Sequence, residues 1–256
     1  MKPVIIDKEK CIGCGKCVAD CVSEKLKITD GKAEFMYDRC IQCGHCYAIC
    51  PTGAVTMAKY KDYEEEKVFD VTKIDSDELL SAMKSRRTIR KFKDKEIPLV
   101  DIEKIIEAGR YCPTGTNAQD FAFTVLRKSV PEIEKECVKF FRGAMKLASP
   151  LKKYIGNVTI DDNFFFKGST AVIVVSSKGN TSACLASSYM ELLAATMGIG
   201  VLYSGFFVAA SKLNPKIKKM LKLPDGHSPV TCLVLGYPDV KYERIPPRNK
   251  AEIRFD

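Results

Sequence analysis

Apolar residues recur with two different periods from about residue 75 onward. Short β-branched runs bounded by turn residues, FAFTVLR (121–127), AVIVVSS (171–177) and VTCLVLG (230–236), read as buried strands. Between them the period becomes that of a helix. Asp75 and Glu78 have capping-box spacing, and Leu79, Leu80 and Met83 would form the inward face of a helix running into SRRTIRKF (85–92). Pro98 opens a second helix with Ile102, Ile105, Ile106 and Gly109 on one face. Residues 181–197, with Leu185, Tyr189, Leu192 and Leu193, read as a third, largely buried helix. The longest apolar run, GIGVLYSGFFVAA (198–210), is shorter than the roughly 18–20 residues a membrane span needs, so it reads as a buried element. Strands separated by helices predict an α+β or α/β domain over residues 76–256.

The first sixty residues show no such period and carry cysteine instead. Eight of the twelve cysteines fall there, in CIGCGKCVADC (11–21) and CIQCGHCYAIC (40–50), both spaced C-x2-C-x2-C-x3-C. Disulfides suit small secreted domains, but the opening MKPVIIDKEK is charged and lacks an apolar signal core, which points to the cytoplasm. Structural zinc usually takes cysteine pairs separated by a longer stretch. Three cysteines at every third position wrap a tight loop around one compact object, with a fourth ligand from elsewhere, which suits an iron–sulfur cube. His45, inside the second motif, reads as a surface residue beside its sulfur rather than a ligand. Residues 61–75 are dense in charge and read as a connector.

Residues 1–60 resemble a bacterial two-cluster ferredoxin, whose run ends C-x3-C-P and whose fourth cysteine serves the other cluster. The resemblance implies two [4Fe–4S] clusters, one on Cys11, Cys14, Cys17 and Cys50, the other on Cys40, Cys43, Cys46 and Cys21. Two copies about 29 residues apart fit the pseudo-symmetry of that family, although Val22 stands where the first copy would carry proline.

Three segments of the larger domain carry candidate chemistry, each with a plainer reading. Arg86, Arg87, Thr88 and Arg90 could be a solvated basic face. CPTGTNAQ (112–119) could be a helix stop. The tail 238–255, with Arg244 and Arg248, could be a flexible terminus. In this order and spacing they resemble the FMN-dependent nitroreductase family over roughly 78–250. By that resemblance Arg86, Thr88 and Arg248 hold the flavin phosphate and ribityl chain, since arginine forks suit phosphate. Arg87 and Arg244 belong to the same two basic segments. Arg90 lies by the N1–O2 edge, and Pro113, Thr114, Gly115, Thr116, Asn117 and Gln119 line the ring and ribityl side. Tyr203, Ser204 and Gly205 form the turn beneath the flavin. Asp120, Cys112 and Ser204 depart from the family pattern, and the 148–170 segment looks short for one that roofs the site. Phe164–Phe166 reads as core or dimer packing, and Cys112, Cys137, Cys184 and Cys232 as buried small hydrophobes. His227 reads as a loop residue. No residue stands out as a general acid.

The formal charge of +9 suggests nucleic acid at first sight. The basic residues are dispersed, however, and clusters at about −2 each with their thiolates would offset much of the excess. Neither nucleic acid nor membrane is an expected partner. The expectation is a dimeric α+β fusion of a small ferredoxin-like domain with an FMN-binding α/β sandwich. It would reduce an electrophilic small molecule in a low-oxygen cytoplasm, drawing on a ferredoxin or NAD(P)H donor. The alternative is an electron-transfer or redox-sensing module that serves a partner protein.

Overall fold

The computed structural model describes residues 2–37, 39–60, 66–147 and 159–256. The chain divides into two compact units, Met1–Val71 with Gly115–Ala118, and Thr72–Thr114 with Gln119–Asp256.

In the first unit the internal repeat of the sequence is a repeat of backbone geometry. Helices α1 (Lys16–Ala19) and α2 (His45–Ala48) are each a single turn, entered through the left-handed glycines Gly15 and Gly44 at φ 75° and 80°. The pairs Gly13/Gln42 and Glu24/Gly53 are left-handed too, at φ 67°/53° and 52°/63°, again 29 positions apart. Strands β1 (Val4–Ile6) and β4 (Val55–Met57) pair antiparallel and bring the two ends of the unit together. Strands β2 (Leu26–Thr29) and β3 (Lys32–Phe35) form a hairpin over Asp30–Gly31. Gly13 must be glycine, because a Cβ there would lie 2.0 Å from the Gly31 carbonyl oxygen. Its counterpart Gln42 carries a side chain in a similar conformation.

The second unit is a four-stranded antiparallel sheet between two helical layers. Strands β5 (Phe121–Leu126), β6 (Ala171–Ser177), β7 (Gly200–Tyr203) and β8 (Ser228–Gly236) are ordered β5-β6-β8-β7. Every residue of β6 is buried, because both faces of the sheet are covered. Val172, Val174 and Val234 face a core shared with α5 (Val130–Leu147), α7 (Gly205–Leu213) and α8 (Pro215–Met220). Ile173, Val175, Leu233 and Leu235 face the core of α4 (Leu99–Arg110) and α6 (Thr181–Thr196). Ile102, Ile105 and Gly109 of α4 are buried as the sequence predicts. Gly109 lets α4 approach α6, since a Cβ there would meet Met190 at 2.8 Å. Phe164, Phe165 and Phe166 are buried with Phe141 in the first of these cores.

Some expectations need correction. Helix α3 (Ser76–Ser85) is capped by Asp75, whose carboxylate accepts from Glu78 N–H at 2.7 Å. It has no buried residue, and Leu79, Leu80 and Met83 are exposed at 37%, 46% and 46%. Helix α6 is inverted relative to the expected face: Ala183, Ala186, Ser187, Met190, Glu191 and Ala194 are buried, whereas Leu185 and Tyr189 are exposed. Small side chains on α6 and Gly109 on α4 let the two helices sit close, Met190 packs inward, Leu192 and Leu193 are half-buried, and Leu185 and Tyr189 turn outward. Cys184 shares that outer face and is exposed, unlike the buried Cys112, Cys137 and Cys232. The run 198–210 is two elements, its first part forming β7 and its last part most of α7. Most of the connector, 66–75, is exposed, while 61–65 and the 148–158 part of the expected roof lie outside the described residues.

Candidate iron–sulfur and flavin sites

Four of the first-unit cysteines share one cavity, three from one motif and one from the other. Cys11, Cys14 and Cys17 line one cavity together with Cys50, which comes from the other motif, and Gly13 and Gly15 help to close it. Backbone donors are aimed at the sulfurs: Ala33 N–H to Cys11, Ala54 N–H to Cys50, Lys25 N–H to Cys21 and Gln42 N–H to Cys40, each at 3.3 Å. Such N–H···S contacts stabilise thiolate and raise the potential of a bound cluster. Lys25 and Ala54 are 29 positions apart, so the two halves repeat this contact as well.

Burial pushes the Cys46 thiol up to about 11 and raises Cys17 as well. Cys50 goes the other way. Burial raises it, but the Thr52, Ala54 and Val55 N–H groups and the Thr52 hydroxyl outweigh that and hold it below the usual thiol range. Among the described residues no three Cys, His, Asp or Glu side chains converge as ligands of a single ion would. The sulfur-directed amides and the four-cysteine cavity fit a cluster. His45 is exposed, as expected of a bystander.

In the second unit the Arg86–Phe92 segment leaves α3 in an extended conformation and runs beside β7. Thr88 bridges Val201 in parallel, and Ile89 N–H donates to the Val201 carbonyl at 3.0 Å. Gly200 permits this, since a Cβ there would lie 2.5 Å from Ile89. The same pairing brings the segment to the β7–α7 corner. There Tyr203 ends the strand, buried Ser204 takes the N-cap position, and Gly205 opens α7. The Gly205 N–H lies in the first turn and has no intrahelical acceptor.

The start of the tail lies along the other side of the segment. Asp239 N–H donates to the Lys91 carbonyl at 2.9 Å, Lys93 N–H to the Tyr237 carbonyl at 2.8 Å, and the Tyr242 hydroxyl to the Thr88 carbonyl at 3.4 Å. Arg86, Arg87 and Thr88 are half-buried and Arg90 is exposed. Beyond Tyr242 the tail, with Arg244 and Arg248, has no regular secondary structure and is mostly exposed.

Pro113 and Thr114 follow α4 in the second unit, and the Thr114 hydroxyl accepts from Gln119 N–H at 3.1 Å. Gly115, Thr116 and Asn117 form a short turn that belongs to the first unit, where Asn117 donates its amide to the carbonyls of Ile41 (3.3 Å) and Gln42 (2.7 Å). Thr116, Asn117 and Gln119 are all left-handed, at φ 51°, 54° and 47°. Such backbone costs about 1–3 kcal/mol per residue and clusters at functional sites.

One residue of consequence escapes the sequence reading. Arg86 Nη1 donates to Glu191 Oε1 at 2.6 Å, and the Glu191 side chain is only 8% exposed. The available signal is that Glu191 is the single charge in SACLASSYMELLAATMG (182–198), an apolar helix sequence.

Comparison with known proteins agrees with this geometry. The nitroreductase family matches residues 83–237, and the 4Fe-4S dicluster domain matches residues 3–51. The chain belongs to the nitroreductase family. It is an oxidoreductase of that family with an N-terminal 4Fe–4S dicluster domain. It is 25% identical over 171 residues, 65% of this chain and 80% of the other, to a putative NADH dehydrogenase/NAD(P)H nitroreductase of Methanothermobacter thermautotrophicus. It is 25% identical over 194 residues, 70% of this chain and 97% of the other, to the iodotyrosine deiodinase of Thermotoga neapolitana. The fold matches that of a nitroreductase from Bacteroides fragilis solved with bound FMN, with TM-score 0.57 and 22% identity over 69% of this chain and 99% of that one. No helix among the described residues is long and apolar enough to cross a membrane.

Proposed function

We propose that this protein is an iron–sulfur flavoprotein that passes electrons between two [4Fe–4S] clusters and FMN and reduces an electrophilic acceptor, a nitroaromatic, quinone or activated alkene. The observation that carries the reading is the four-cysteine cavity of Cys11, Cys14, Cys17 and Cys50 in a chain whose other unit has the nitroreductase fold. Cys40, Cys43, Cys46 and Cys21 hold the second cluster. The cluster domain is residues 1–60, the connector 61–75 and the flavin domain 76–256.

Arg86, Thr88 and Arg248 hold the flavin phosphate and ribityl chain, with Arg87 and Arg244 adding positive charge. Arg90 faces the pyrimidine edge of the ring. Residues Pro113–Asn117 and Gln119 border the ring, with Tyr203, Ser204 and Gly205 beneath it. The half-buried Arg86 guanidinium, fixed on one side, supports this assignment, because a planar fork suits a phosphate. FMN, when bound, supplies a two-electron store between one-electron clusters and a two-electron acceptor. The chain's own part is to bind and orient it and to set the charge around it.

A homodimer is part of the proposal. Leu79, Leu80 and Met83 on α3, and Leu185 and Tyr189 on α6, are large apolar side chains left exposed that a second subunit would cover. Covering them in a partner would contribute about 25 cal/mol per Å2 buried. The setting is a low-oxygen cytoplasm, and the donor is a reduced ferredoxin or NAD(P)H.

Anoxic steady-state turnover of nitroaromatic and quinone acceptors tests the reading. The enzyme gives saturable turnover that differs sharply between acceptors. Slow reduction that is indifferent to the acceptor would favour an electron-transfer or sensing module serving a partner protein.

A further inference from the structure

Glu191 poses a physical problem. Its carboxylate sits in the buried face of α6 among Ala183, Ala186, Ser187, Met190 and Ala194. Removing a carboxylate from water costs several kcal/mol, and a buried ion pair often repays no more than that in stability. Burial pushes the Glu191 carboxyl above the usual range, and Arg86 together with the Tyr203 hydroxyl opposes the rise. The neighbouring Tyr203 hydroxyl is tied to the Ser187 carbonyl at 2.9 Å. Ser187 in turn bonds the Ala183 carbonyl and the Thr231 hydroxyl. Glu191 is therefore held in a braced corner, with Arg86 directed onto it from the extended segment. Stability alone does not account for a lone acid placed there.

The asymmetry of the pair suggests its use. Glu191 is 8% exposed and Arg86 33% exposed, so the guanidinium lies between a buried anion and the surface. The contact runs through Nη1. A guanidinium carries five N–H donors in one rigid plane, so anchoring one edge fixes the direction of the others. An arginine tethered by a single flexible stem would lose rotamer freedom on meeting a phosphate, whereas one already anchored loses less.

We propose that Glu191 is a positioning residue for the flavin phosphate, holding Arg86 by one edge so that the other edge is presented to the phosphate. The inference rests on the proposed role of Arg86 as a phosphate ligand. Glu191 touches neither flavin nor substrate in this account and acts only through Arg86.

The test is flavin binding by the full cluster-loaded chain, freed of flavin and titrated anoxically with FMN and, separately, with riboflavin, which lacks the phosphate. Glu191→Gln keeps the size and an acceptor oxygen but removes the charge. It is expected to weaken FMN about tenfold, in the range for loss of a group that orients a ligating residue, and to leave riboflavin unchanged. Arg86→Ala should weaken FMN at least as much, and Glu191→Gln added to it should change nothing further. Arg86→Lys, at a partly exposed position that tolerates exchange, gives a reading independent of the Glu191 variant's folding. It retains the charge without the fork and should also lose FMN affinity selectively.

Unchanged or tighter FMN binding in Glu191→Gln overturns the proposal, and so does an equal loss of FMN and riboflavin. If Arg86→Ala weakens FMN while Glu191→Gln does not, the positioning role fails and the phosphate role of Arg86 stands. If the unmodified chain binds FMN no better than riboflavin, the functional reading beneath the proposal fails instead.

Discussion

The two units are held together by different means. Among the described residues, the larger one has eighteen buried apolar residues in the core on one face of its sheet and thirteen in the core on the other. The smaller one has ten in its core among the described residues, and three of these are the cysteines Cys11, Cys17 and Cys46. Its helices are single turns and its strands three or four residues long, too short to hold by themselves. A unit of that size usually depends on disulfides or metal; its described cysteines form no disulfide, and Cys11, Cys14, Cys17 and Cys50 line one cavity. The contrast teaches that in one unit the cofactor completes the fold, whereas in the other the fold is complete and the cofactor is added to it.

The largest effect expected from this contrast is that of removing iron. In cluster proteins of this size the binding energy is also folding energy. Stripping the clusters anoxically with a chelator should abolish amide-exchange protection over residues 2–57 and leave the strands β5, β6 and β8 protected. Surviving protection in β1–β4 would break the comparison.

A steric change in each unit sharpens it. Gly13→Ala forces a Cβ to 2.0 Å from a backbone carbonyl at a left-handed residue and should cost about 3 kcal/mol or more. Loss of the Cys11–Cys14–Cys17–Cys50 cluster signal in electron paramagnetic resonance, with the other retained, is the expected outcome. Gly200→Ala meets the Ile89 side chain at 2.5 Å, which can shift, and should cost about 1–3 kcal/mol in thermal unfolding. Its effect on flavin retention should exceed its effect on the clusters.

Smaller effects belong to the surface of the larger unit. Asp75→Ala removes the cap from a helix with no buried residue and should cost about 1 kcal/mol, read by exchange rates confined to α3. The Glu107–Arg110 pair is half-exposed, so Arg110→Ala should cost less than about 1 kcal/mol. The Arg110 hydrogen bond holds the Glu107 carboxyl below its ordinary value. The contribution is therefore present above the unfolded-state pKa and lost as pH falls through the lower folded one. Wild type and Arg110→Ala should differ in melting temperature at neutral pH and converge in acid.

How much could be read from the sequence differed between the units for a related reason. The grouping of Cys11, Cys14 and Cys17 with Cys50 could be read because cysteine at fixed spacing has few other uses, and those four line one cavity. Strands β6 and β8 could be read because both their faces are largely buried and their residues are β-branched, whereas β5, expected to be buried, is half-buried with only Leu126 fully inside. The faces of α3 and α6 were misjudged because apolar spacing shows that a face is apolar without showing what covers it. On α6 four of the six residues facing the core are alanine or serine, which carry little hydrophobic signal in a periodicity count. Helix α5 was not anticipated, although Ile133, Cys137 and Phe141 are buried along it at helical spacing. Glu191 was not found because its partner Arg86 lies 105 positions away, and no local pattern reports such a pairing.

The central claim is that clusters and flavin exchange electrons within one chain. Stopped-flow absorbance tests it most directly, mixing the oxidised, cofactor-loaded protein anoxically with NADH, NADPH and a reduced low-potential ferredoxin in turn. The account predicts that at least one donor reduces one type of centre and that the other follows within the time of a turnover, clusters first with ferredoxin. A protein whose clusters become fully reduced while its flavin stays oxidised, or the reverse, would contradict it.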